Sequence, residues 1–91
     1  MPKRRDCNHA EIRDGLRKCG FHVTDLADLG KGVPDLLSVT KDGQAILLEV
    51  KIPGEKLTPA EERYHAEYPG PIYIVRSVEQ AIETMQGVMR K

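Results

Sequence analysis

The chain has 91 residues, 40% of them hydrophobic and 31% charged, enough for one small globular domain spanning residues 1–91. No apolar run approaches the roughly 20 residues of a membrane span. The basic start Met1-Pro2-Lys3-Arg4-Arg5-Asp6 has no hydrophobic segment after it, so no signal peptide is expected and a cytoplasmic location follows. Fourteen basic residues balance fourteen acidic ones, which argues against coating nucleic acid by bulk charge.

The basic residues are unevenly spread. Residues 1–20 carry Lys3, Arg4, Arg5, Arg13, Arg17 and Lys18 against Asp6, Glu11 and Asp14, a local +3. Residues 1–7 read as a flexible basic terminus. Residues 8–19 read as a first helix, with Asn8 as N-cap, Ile12, Leu16 and Cys19 on one face, and Gly20 as the stop. Along such a helix Cys7 and Cys19 lie on the order of 18 Å apart. Neither a disulfide nor a zinc site shared with His9 and His22 can close that gap, and both histidines are expected at the surface.

Three strands are expected next: a weak one over residues 22–27, a better one over 33–40 and a strong one over 44–52, with Lys41-Asp42-Gly43 as the turn before it. Thr58 is the N-cap of a second helix, with Pro59 at its first position and Glu61 three residues after the cap. That helix runs to about Tyr68, carrying Ala60, Tyr64 and Tyr68 on one face. Ile72-Tyr73-Ile74-Val75 is a short apolar strand, expected to be buried. Ser77 with Gln80 starts a last helix whose stripe is Val78, Ile82, Met85 and Met89. The order α-β-β-β-α-β-α favours an α/β fold with a small mixed sheet flanked by helices.

Three charged residues interrupt this apolar pattern. Asp35 follows Pro34, and fourteen residues later Glu49 and Lys51 bracket Val50 on the strongest strand. With a side-chain period of two, Glu49 and Lys51 project from one face and Val50 from the other. Ionised groups on such strands are rarely buried unless paired or bound to a metal. Two carboxylates and an ammonium so arranged suit metal-assisted attack on a phosphodiester.

Pro34-Asp35 and Glu49-Val50-Lys51, on adjacent strands after a helix, reproduce the signature of the PD-(D/E)XK nuclease superfamily, which the chain resembles. Gly32-Val33-Pro34-Asp35-Leu36-Leu37, Leu48-Glu49-Val50-Lys51, Leu57-Thr58-Pro59-Ala60 and the terminal Val75-Arg76 look like its VRR-NUC branch, in the compact stand-alone form of phages and bacteria. The resemblance runs from about residue 8 to residue 83. Two positions depart from it: relatives often carry Gln where Glu61 stands, and Ser77 follows Arg76 where a further Arg is expected.

The resemblance implies a restriction-endonuclease-like core and a Mg2+ or Mn2+ cofactor, since hard divalent ions take oxygen ligands. Asp35 and Glu49 would be metal ligands and catalytic, with the backbone carbonyl of Val50 as a further ligand and Lys51 assisting the water and the transition state. Glu11 is the first-helix acid nearest the place where relatives supply another ligand, although Asn8 and Glu11 also read as a plain capping box. Lys31, Lys56, Glu61 and His65 are candidate nucleic-acid contacts. For Glu61 a helix cap, and for His65 an intrahelical pair with Glu61, are the simpler readings.

The expected function is a structure-selective endodeoxyribonuclease on branched DNA, a four-way junction or flap, working as a homodimer, with no membrane and no nucleotide cofactor. A bacterial cell or phage-infected host is the expected setting. The alternatives are a non-specific nicking nuclease or exonuclease, and a non-catalytic nucleic-acid-binding module.

Overall fold

The computed structural model describes residues 4–89, with side chains from residue 8 onward. The elements are α1 (Arg4–Lys18), β1 (His22–Asp25), β2 (Leu36–Val39), β3 (Ala45–Val50), α2 (Pro59–Glu67), β4 (Ile72–Val75) and α3 (Val78–Met89), with a single 3-10 turn at Ala27–Leu29. The expected order is thus observed. The sheet runs β1-β2-β3-β4, antiparallel across the first three strands and parallel between β3 and β4. A parallel pair needs a crossover, and α2 supplies it.

The register sorts side chains onto two faces. Leu36 pairs with Leu48, and Leu48 with Tyr73. Ile46, Leu48 and Val50 therefore point to one face, and Leu47, Glu49 and Lys51 to the other. The first face is the core, where they pack with Ile12 and Leu16 of α1, Phe21, Val23, Leu36, Val75, and Ala81, Met85 and Val88 of α3. At about 1.5–3 kcal/mol for each fully buried large aliphatic side chain, this layer carries most of the fold. Among the described residues, no helix is long and apolar enough to cross a membrane.

Several local expectations need correction. α1 begins at Arg4, so Asn8 sits inside the helix and does not cap it. Its amide instead donates to the Lys51 carbonyl at 3.1 Å, a bond across 43 residues of sequence. The basic run Lys3-Arg4-Arg5 falls outside the described side chains. Cys19 lies past the end of α1 and is exposed. β4 is an edge strand, and its Tyr73 and Ile74 are exposed. Met89 is also exposed, and Ala81 and Val88 take its place in the buried stripe of α3. His9 is not free at the surface: its Nε2 lies 2.9 Å from Asp25 Oδ2, tying α1 to β1.

Candidate active site

Asp35 lies one residue before β2, and continuing the β2–β3 register places it opposite Glu49. Its backbone is fixed by Leu26 N–H, which donates to the Asp35 carbonyl at 2.7 Å. The β2 ladder ends at Leu36, and Asp35 Oδ2 accepts the Val50 N–H at 2.8 Å just beyond it. A buried amide is thereby satisfied, and the same bond pins the carboxylate against β3.

Glu49 is fully buried. Burial pushes its carboxyl up to about 9, reinforced by the adjoining Asp35 carboxylate and by Glu61, with Lys51 acting in the opposite sense. Its Oε1 lies 3.1 Å from His65 Nε2. Its Oε2 is buried and receives no hydrogen bond when both carboxyls are ionised. After burial, the next contribution to the rise is a hydrogen bond with Asp35, which requires a proton on one of the two carboxyls. Two buried carboxyls this close need a proton or a cation between them.

Lys51 is also fully buried, and its Nζ sits 2.6 Å from Glu61 Oε1 and 3.9 Å from Glu55 Oε2. An ammonium removed from water is tolerated only when paired in this way. Its backbone is held on both sides, since Lys51 N–H donates to the Val75 carbonyl and the Lys51 carbonyl accepts from Asn8.

The nearest counter-charge of Lys51 and the imidazole that faces Glu49 both come from α2. Thr58 Oγ1 accepts from Glu61 N–H while Glu61 Oε1 accepts from Thr58 N–H, so the expected capping box is present. Glu61 is the buried residue of this helix, turned toward Lys51 rather than outward. Four residues on, His65 shares that side and reaches Glu49, so its partner is on β3 and not Glu61. Tyr64 and Tyr68 stack on each other at 5.8 Å, with Tyr68 exposed.

Flanking segments complete the frame. Gly32 packs so tightly on α2 that an added Cβ would meet the Ala60 carbonyl oxygen at 2.3 Å. After Lys51, Arg76 Nη1 donates to the carbonyls of Ile52 and Glu55 at 2.7 and 2.9 Å, fixing the turn that returns the chain toward α2. Lys31, in the left-handed region at φ +57, and Lys56 are exposed. Glu11 is exposed one helical turn beyond Asn8, whose side chain touches the end of β3. Among the described residues no group of three or more His, Cys, Asp or Glu side chains converges as a metal cage.

The bonds made by Asn8 and Arg76, and the Glu49–His65 pair, are functional contacts that the local sequence does not announce. Only the last left a trace, in the four-residue spacing that puts His65 on the side of Glu61.

No protein-family model matches the chain. It is 38% identical over 64 residues to a protein of Acyrthosiphon pisum secondary endosymbiont phage 1 named "Putative nuclease p44", a match that covers 69% of each chain. Among solved structures, one described as a VRR_NUC domain superposes with a TM-score of 0.75 at 22% identity, covering 93% of this chain and 97% of the other. The chain therefore belongs to one family with this phage protein, named as a putative nuclease, and has the fold of a VRR_NUC domain, in agreement with the Asp35/Glu49-Val50-Lys51 geometry.

Proposed function

We propose that the protein is a Mg2+- or Mn2+-dependent endodeoxyribonuclease that cuts branched DNA. The observation that carries this reading is the buried Asp35–Glu49 pair, whose Glu49 Oε2 lacks a donor and whose close oxygens call for a cation. The donor set is all oxygen, which fits a hard divalent ion. Asp35 and Glu49 would hold the ion, with the Val50 carbonyl as a further ligand. Glu11, on the side of α1 that Asn8 anchors to β3, is the candidate for another. Such an ion supplies an acidified water and screens the scissile phosphate.

The chain's own groups divide the remaining work. Glu49 and Asp35, once ionised, would fix where the ion sits relative to β3, and only through it the reacting phosphate. Lys51, two residues from Glu49 on the same face, offsets the charge that grows on the phosphate as water adds. His65 holds one oxygen of Glu49 so that the other stays directed at the Asp35 side. Lys31 and Lys56 are exposed and available to backbone phosphates.

The branched substrate is supported by the family resemblance, a shape-selective mode of recognition that works through backbone contacts. Cutting both strands of a duplex requires two such sites, which favours a twofold homodimer.

The test is incubation of purified protein with labelled duplex, flap and four-way junction DNA in Mg2+, Mn2+ or chelator. Cleavage of the branched substrates with metal, absent with chelator and absent in Glu49→Ala, is the expected result. Binding without cleavage under every condition would leave a binding module instead. A strictly monomeric mass in solution, with and without DNA, would sink the paired-site model.

A further inference from the structure

Glu61 makes two bonds with one oxygen. Its Oε1 accepts Thr58 N–H at 2.8 Å, closing the capping box of α2, and also lies 2.6 Å from Lys51 Nζ. The first bond needs no charge, because a capping box is served equally by Glu and Gln. The second is of another kind. The Lys51 side chain is wholly removed from solvent, and a buried ammonium is held where its counter-charge lies. Glu55 is a weaker candidate for that task, since its Oε2 is 3.9 Å away and its Oε1 is already occupied by Ile52 N–H at 3.0 Å. The position of Nζ is therefore set by α2, an element separate in sequence from the strand that carries Lys51.

We propose that Glu61 is a positioning residue for Lys51, holding the ammonium at the edge of the Asp35–Glu49 pair and transmitting the placement of α2 to the reacting phosphate. This rests on the cleavage reading above. The capping box is the device that makes the placement rigid. Thr58 fixes Glu61 through two backbone-to-side-chain bonds, so its carboxylate reaches Lys51 from one conformation. The wedge of Gly32 against the Ala60 carbonyl fixes that first turn from the other side.

Three variants separate positioning from capping. Glu61→Ala removes both bonds, Glu61→Gln keeps a cap acceptor and a neutral acceptor for Nζ, and Thr58→Ala weakens the cap but leaves the Glu61–Lys51 pair. Glu61→Ala should lower kcat on the order of 10–100-fold with KM little changed, the scale for misplacing a reacting group. Glu61→Gln, which keeps the cap but removes the counter-charge, should recover only a small part of that loss. Thr58→Ala should lose thermal stability and lower kcat far less than Glu61→Ala, because the Thr58 N–H still donates to Glu61 Oε1 and the Glu61–Lys51 pair remains.

An independent readout is the 1H–15N signal of the Lys51 ammonium, recorded without DNA or metal. It should be present in the parent protein and in Thr58→Ala and lost in Glu61→Ala. Retention of that signal unchanged in Glu61→Ala, or a kcat loss in Thr58→Ala equal to that of Glu61→Ala, overturns the proposal. If the parent cleaves no DNA, the cleavage reading falls by itself, and the ammonium signal alone then decides whether Glu61 holds Lys51.

Discussion

Gly32→Ala is the sharpest probe of how the Asp35 loop is seated. Gly32 has φ +83, and its missing Cβ would lie 2.3 Å from the Ala60 oxygen, 2.6 Å from the Ala60 carbonyl carbon and 3.1 Å from Glu61 N. The left-handed backbone alone costs a residue with a Cβ about 1 kcal/mol. The overlap is with helix backbone, which cannot rotate away as a flexible side chain would, and forcing such a contact adds roughly 1–3 kcal/mol. The total of about 2–4 kcal/mol corresponds to a Tm lower by roughly 10–25 °C in a domain of this size.

Gly43 provides the control. It has φ +91 in the turn before β3, with nothing within 4 Å of a built Cβ. Gly43→Ala should therefore show only the backbone cost of about 1 kcal/mol. Urea denaturation of both variants beside the parent measures the difference. Cleavage by the folded fraction of Gly32→Ala should also drop, because the displaced turn carries Glu61. Equal destabilisation of the two variants would refute the wedge.

Glu49→Gln tests the buried carboxyl pair in chelator. The folded protein keeps the Glu49 proton up to about 9, whereas the unfolded chain releases it near 4.5, so the parent loses stability as pH rises through that window. The variant lacks this slope and should gain on the parent steadily between about pH 5 and pH 9, and parallel Tm–pH curves would contradict the assignment. Adding Mn2+ should raise the parent's Tm, by about 2.7 kcal/mol of stability at a hundredfold excess over Kd, and leave Glu49→Gln nearly unmoved. His65→Ala removes the partner of Glu49 Oε1 and should weaken Mn2+ binding about 10–100-fold in calorimetry, with an unchanged Kd counting against the role. Arg76→Ala breaks two charge-assisted bonds to the Ile52 and Glu55 carbonyls and should cost about 2–4 kcal/mol in urea denaturation, which Arg76→Lys should not restore.

What could be read in advance was whatever local chemistry decides. Thr58, Pro59 and Glu61 announce the start of α2 because a capping box is closed within four residues. The alternation from Ile46 to Lys51 assigns each side chain to a face because strand geometry leaves no other option. What escaped depends on contacts between distant segments. Asn8 has the spacing of a cap with Glu11, yet α1 extends past it and its amide serves the Lys51 carbonyl. His65 suits a pair with Glu61 by spacing, and only the packing of α2 over β3 directs it to Glu49. Tyr73 and Ile74 look like core residues, but among the described residues β4 is the last strand of the sheet, and both side chains are exposed there.

The two-sided character of β3 also governs how the gene can vary. Ile46, Leu48 and Val50 anchor the α1–α3 layer, while Leu47, Glu49 and Lys51 occupy the opposite side. Losing or gaining one codon inside this strand would turn the acid and the lysine into the oily layer and the valine toward α2, so the core and the Asp35–Glu49 pair would be lost together. The same change in the Lys41–Gly43 turn leaves that assignment intact. Length variation in this lineage should therefore collect in the turns, and β3 should be a segment where selection for a stable core also guards the chemistry.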